Sequence, residues 1–216
     1  MTYSLNEIEA LAKKATRGAG RSWGIAEEAG KAVRWLVSNG LPGAEALAEL
    51  LVETDGRPEA ERSPMSLEGP WRSQTGTLCP LAVGTALNDC AETILQGQGA
   101  RMENVVCPVL VVPFAGWAAI HLNTRVVVSW GDIQIGTDGW AVWTDNRDQQ
   151  LRDLAPADVT CGRAGTMHAS PTTPALRGTI AMDVWQRLDA FAHRTYAPAT
   201  EASRLLGAGA GVSDND

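Results

Sequence analysis

The residues with the most chemistry to offer sit at one predicted helix start and near the end of the sequence. Cys79 precedes Pro80, a residue type favoured at a first helical position. That places the Cys79 thiol at an N-cap, where the helix dipole favours the thiolate. His193 follows Asp189 by one helical turn, a spacing that lets a carboxylate orient an imidazole for general-base work. Tyr196 and Glu201 add two proton carriers, and Arg204 adds a guanidinium suited to gripping a carboxylate. Gly207, Gly209 and Gly211 alternate with alanine, so their backbone N–H groups can approach an anion or another chain closely.

This set implies acid/base or thiol chemistry on a small anionic, carboxylate-bearing metabolite. The catalytic candidates are Cys79, His193, Tyr196 and Glu201, and the binding candidates are Arg204, Gly207, Gly209 and Gly211. A non-catalytic alternative uses the same residues. In it the Gly-rich ending, closed by Asp214 and Asp216, docks into a partner or a second copy of the chain, giving a homo-oligomer. Each feature also has an ordinary reading: a buried small cysteine, a surface helix contact and a frayed end.

Other constellations carry less. His168 falls in the stretch Gly165 to Ser170, read as a loop, whereas His121 follows a strongly apolar run and reads as a core residue. The turn Gly18 to Gly24 is explained by helix capping, with Arg21 beside a helix start as a candidate anion holder. Ten residues separate Cys79 from Cys90 and six separate Cys161 from His168, so no zinc-like pairing is present and no metal is expected. The Gly-rich ending fails as a dinucleotide fingerprint because no strand precedes it and no helix follows. Ser213-Asp214-Asn215 has no accompanying Ser-x-x-Lys or Lys-Thr-Gly and fails as a β-lactamase element. No cofactor is named by the sequence.

Composition bounds these readings. A formal charge of −7, with lysine confined to Lys13, Lys14 and Lys31, argues against a nucleic-acid footprint. Without a basic then apolar leader, and with Pro108 and Pro113 breaking the apolar stretch Val105–Leu122, neither secretion nor a membrane span is expected. The four cysteines then read as free thiols of a cytoplasmic protein. Eight tryptophans against two phenylalanines and two tyrosines suggest indoles at edges and pockets, where the N–H finds a partner.

The elements that must position these residues follow from local signals. Ser4-Leu5-Asn6-Glu7 has the form of a capping box, and Leu5, Ile8, Leu11, Ala12 and Ala15 recur at helical spacing behind it. Gly18-Ala19-Gly20 ends that helix, Ser22 caps a second, and Pro42-Gly43 opens a third carrying Leu47, Leu50 and Leu51. Residues 1–54 thus read as a helical lobe, 55–78 as a long loop laid over the core through Trp71, 79–198 as an α+β core, and 199–216 as a tail. Within the core the expectation is a helix over 79–96, a buried strand over 105–112, and a short helix or continued strand over 114–122. Strands follow over 125–130, 133–135 and 159–162, with a hairpin turn at Thr137-Asp138-Gly139 and a last helix over 182–196. The fold class is α+β, with an antiparallel or mixed sheet packed against helices and the site placed between lobe and sheet.

Three stretches taken together are also familiar. They are Leu5 to Ala10, the turn Gly18–Gly24 followed by Glu27-Glu28-Ala29-Gly30, and the ending Tyr196 to Arg204 with its glycine tail. In these the sequence resembles a bacterial family catalogued as a domain of unknown function. The resemblance brings no activity and no catalytic residue with it. It implies that the polar, Gly-rich ending is native to the protein.

Overall fold

The first residues form both a strand and a cap. In the computed structural model, which describes residues 1–145, 148–165 and 169–196, Thr2–Ser4 is a strand (β1) that runs directly into helix α1, Leu5–Gly18. Ser4 Oγ accepts from the Glu7 N–H while the Glu7 carboxylate accepts from the Ser4 N–H at 2.8 Å, so two orphan donors are satisfied reciprocally. Helix α2 spans Trp23–Ser38 behind the Ser22 cap, and α3 spans Gly43–Glu53. The apolar stripes of these three helices face one another and are almost wholly buried.

The long loop is pinned at several points: Arg62 and Trp71 are buried, Arg62 pairs with Glu53, and Asn104 Nδ2 donates to the Gly76 carbonyl. Pro70–Trp71 forms a two-residue strand (β2), and the Trp71 ring is 1% exposed with its indole N–H donating to the Leu67 carbonyl. The chain then forms α4 (Pro80–Asp89), α5 (Ala91–Gln96), β3 (Ala100–Val105) and α6 (Val112–His121). Strands β4 (Val126–Trp130), β5 (Ile133–Thr137) and β6 (Val142–Trp143) follow, then a helical turn α7 (Asp148–Leu151) and β7 (Ala157–Arg163). Strand β8 (Arg177–Thr179) leads into α8 (Met182–His193).

Six strands form one mixed sheet in the order β2-β3-β7-β4-β5-β6, parallel at β2–β3 and antiparallel elsewhere. Alternation along β4 and β7 buries Val126, Val128, Trp130, Val159 and Cys161, and leaves Asp158 and Thr160 in solvent. Helices α4 and α6 pack so closely that a Cβ on Gly84 would fall on the Phe114 ring. The fold is α+β, a helical lobe followed by a sheet with hairpins. Among the described residues no helix is long and apolar enough to cross a membrane.

Four local expectations are corrected. The apolar run over 105–112 is a strand only to Val105. Pro108 and Pro113 each lack an N–H for a ladder and instead open helical turns, over Pro108–Val111 and in α6. The helix expected over 79–96 breaks at Cys90 into α4 and α5, and the last helix stops at His193. His121 is exposed, since burial along α6 ends at Ala119 and the final two residues leave the core.

Chain connectivity brings the first and last described elements together. Strands β1 and β8 pair antiparallel, Thr2 opposite Thr179 and Ser4 opposite Arg177, forming a clip separate from the main sheet. Because α1 leaves one strand of the clip and α8 leaves the other, the two helices lie together and end side by side, with Gly18 against Phe191.

Candidate functional site

Where α1 and α8 end, the surface opens into a groove of about 770 Å³ whose walls include Lys13, Lys14, Arg17, Trp23, Arg194 and Tyr196. Three of these come from the last two turns of α1, Trp23 from the start of α2, and Arg194 and Tyr196 from the exit of α8. Gly18 makes the arrangement possible. Any side chain there would run into the Phe191 carbonyl and push the two helix ends apart. Trp23 and Tyr196 stand with 62% and 57% of their surface in solvent, which makes them walls of the groove and not parts of the core.

The four cations are not equivalent. Lys13 Nζ lies 2.6 Å from Glu27 Oε1, a hydrogen bond that holds the Glu27 carboxyl below its ordinary range. Arg194 grips Asp55 with both arms at 2.7 and 3.0 Å, and lowers the Asp55 carboxyl in the same way. Among the described residues, Lys14 and Arg17 have no carboxylate partner. Arg17 donates one N–H to the Arg21 carbonyl at 2.6 Å and leans on Trp23, and the Lys14 ammonium lies 6.0 Å from the Tyr196 ring centre.

The balance of charge follows. Four cations against two carboxylates leave two positive charges. Two helix C-termini, each equivalent to roughly half a negative charge, reduce that to about one. The groove therefore carries a small positive balance beside two exposed aromatic rings.

The sequence-selected residues divide into three groups. Tyr196 lines the groove, and His193 meets it edge-on with ring centres 5.2 Å apart, while His193 Nε2 lies 3.3 Å from Asp189 Oδ2. Cys79 does occupy the N-cap of α4, but it is buried and is not a wall of the groove. Burial pushes its thiol above the ordinary value, and this outweighs the N–H groups of Ala82 and Leu81 that pull the other way. The expected dipole effect is thus present and loses to desolvation, so the thiol is the favoured form. Glu201, Arg204, Gly207, Gly209, Gly211 and His168 lie outside the described residues. Arg21 is turned inward and donates to the Thr54 and Arg57 carbonyls, so it supports the turn and is not a groove cation.

Lys13, Lys14, Arg17, Trp23 and Arg194 were not selectable from the sequence as a site. Lys14 and Arg17 share one helix face at i,i+3, the only local hint, and such a pair usually marks a solvated surface. The groove takes none of its walls from the 55–78 loop or the sheet, so it lies apart from the place between lobe and sheet where the sequence put a site. Among the described residues no three His, Cys, Asp or Glu side chains gather as metal ligands.

The four cysteines are free thiols. Burial raises Cys107 and Cys161 to about 12, against an ordinary 9.0. The native state keeps these protons while the unfolded chain releases them. Stability is therefore unaffected below pH 9 and falls as pH rises from 9 towards 12. Urea midpoints should drop between pH 8 and pH 10.5. At pH 8 iodoacetamide should label half-buried Cys90 first and the other three only on unfolding.

No curated protein matches the chain. Among solved structures, malate dehydrogenase from Entamoeba histolytica aligns at 11% identity with a TM-score of 0.42, over 74% of this chain and 48% of that one. The chain thus spans about half the length of that enzyme chain. Residues 3–79, which carry the capping box, the Gly18–Gly24 turn and the groove cations of α1, match the family model described as "Protein of unknown function (DUF3726)", and over that stretch the chain is similar to an uncharacterised domain family.

Proposed function

We propose that this protein binds a small carboxylate-bearing metabolite with an apolar or planar body in the groove between α1 and α8. The observation that carries the reading is the pair Lys14 and Arg17, two cations without carboxylate partners among the described residues, set between two exposed aromatic rings. Arg17 and Lys14 would take the carboxylate, and Trp23 and Tyr196 the body. A proton-transfer reaction on the bound molecule would run through Tyr196 and His193, because Asp189 orients His193 and His193 touches Tyr196. The buried Cys79 thiol has no part in it.

Equilibrium dialysis with benzoate, acetate and benzylamine tests this directly. Benzoate is expected to bind most tightly and acetate several-fold more weakly for want of a ring, while benzylamine is excluded by charge. Affinity for benzoate should fall as NaCl is raised from 20 to 300 mM, since Lys14 is exposed and Arg17 half-exposed, so salt screens both. Equal binding of benzoate and benzylamine would sink the assignment.

A further inference from the structure

We propose that the acidic segment Glu201–Asp216 occupies this same groove in its own chain and competes with the carboxylate ligand. The inference rests on reading the groove as an anion site, and three observations carry it further.

Continuity is the first. The described chain reaches Tyr196, which is itself a wall of the groove and lies against Lys14. Five residues on, Glu201 is within ~17 Å of the Tyr196 backbone even along a fully extended path, so the groove of the same chain is inside its reach. Charge is the second. The segment carries Glu201, Asp214 and Asp216 against Arg204 alone, an anionic balance opposite to that of the groove. Composition is the third. Gly207-Ala208-Gly209-Ala210-Gly211 offers no side chain larger than a methyl group, so steric bulk does not oppose its backbone's approach to exposed rings such as Trp23 and Tyr196.

A tethered segment acts at a local concentration in the millimolar range, so a docking constant of ~0.2 mM would weaken the apparent affinity of a free ligand about fivefold. The ligand and the segment would thus share one set of cations, and binding of the metabolite would release the segment.

The test compares the full chain with the full-length Glu201→Gln/Asp214→Asn/Asp216→Asn variant. Two readouts serve: benzoate affinity, and the position of the Trp23 indole N–H resonance without ligand. Neutralising the segment should tighten benzoate about fivefold and move the Trp23 resonance, with no dependence on protein concentration. Unchanged affinity together with an unmoved resonance overturns self-docking and leaves the anion site standing. A resonance that moves while benzoate binds to neither chain retains self-docking and removes the small-molecule reading. A Trp23 position that varies with dilution, alongside a larger species on a sizing column, overturns the same-chain occupant in favour of a second copy.

Discussion

The double variant Lys14→Glu/Arg17→Gln is expected to lose benzoate binding by 30-fold or more while unfolding at nearly the same urea concentration as the parent. Each charge-assisted contact to a carboxylate contributes about 1.5–3 kcal/mol when formed, and solvent at this open site brings two of them to the lower end of that range. A combined loss near 2–3 kcal/mol corresponds to roughly a 30- to 150-fold weaker complex. Stability should barely change because Lys14 is exposed and neither residue forms an ion pair among the described residues. Glutamine at 17 retains a donor for the Arg21 carbonyl, where glutamate would set a negative charge against the end of α1. Urea denaturation monitored by circular dichroism checks the second half of the expectation. A midpoint shift equivalent to more than about 1 kcal/mol would mean that these cations hold the fold and are not reserved for a ligand.

Gly18→Ala has the opposite signature. Its Cβ would land on the Phe191 carbonyl oxygen, with the carbonyl carbon 2.7 Å away, and backbone of a packed helix cannot swing aside as a long side chain does. Either α8 shifts or the end of α1 unwinds, at a cost of about 3 kcal/mol, the upper end for overpacking. For a chain of this length that is a fall of roughly 6–12 °C in Tm. Gly20→Ala, two residues on, is the control. Nothing lies within 4 Å of that Cβ, so its cost is only the left-handed backbone at φ +87°, about 1–2 kcal/mol. Differential scanning calorimetry of the two variants should rank Gly18→Ala clearly below Gly20→Ala. Equal Tm values would mean that α1 and α8 are not locked at this contact, and that the groove between them is not a fixed shape.

Much of the fold was legible because its signals are local. The Ser4–Glu7 box, the Gly18–Gly20 exit and the Ser22 cap each concern groups within a few residues, and all three sit where the sequence placed them. The hairpin at Thr137-Asp138-Gly139 is readable for the same reason, with Thr137 Oγ and the Asp138 carboxylate accepting from N–H groups of the turn. The run after Val105 was not, because an uninterrupted apolar stretch has no period to separate strand from buried helix. There the prolines at 108 and 113 decided the matter.

The groove was illegible for a different reason. Lys13, Lys14 and Arg17 read as one wet helix face until β8 pairs with β1 and brings α8 from the far end of the chain onto α1. Three-residue strands such as β1 and β8 are too short to announce themselves, yet that clip decides which surface becomes concave. Cys79 shows the converse. Its N-cap position could be read from Pro80, but its burial depended on contacts that no local pattern encodes.

A benzoate titration followed through the tryptophan indole N–H resonances of the full chain discriminates binding in the groove from nonspecific association. Trp23 and Trp140 are comparably exposed, at 62% and 71%, so nonspecific association of an aromatic anion would move both. The groove predicts a saturable shift at Trp23, abolished in Lys14→Glu/Arg17→Gln, with Trp140 still. Parallel, unsaturated shifts at both rings, or a Trp23 shift that survives the double variant, would contradict it.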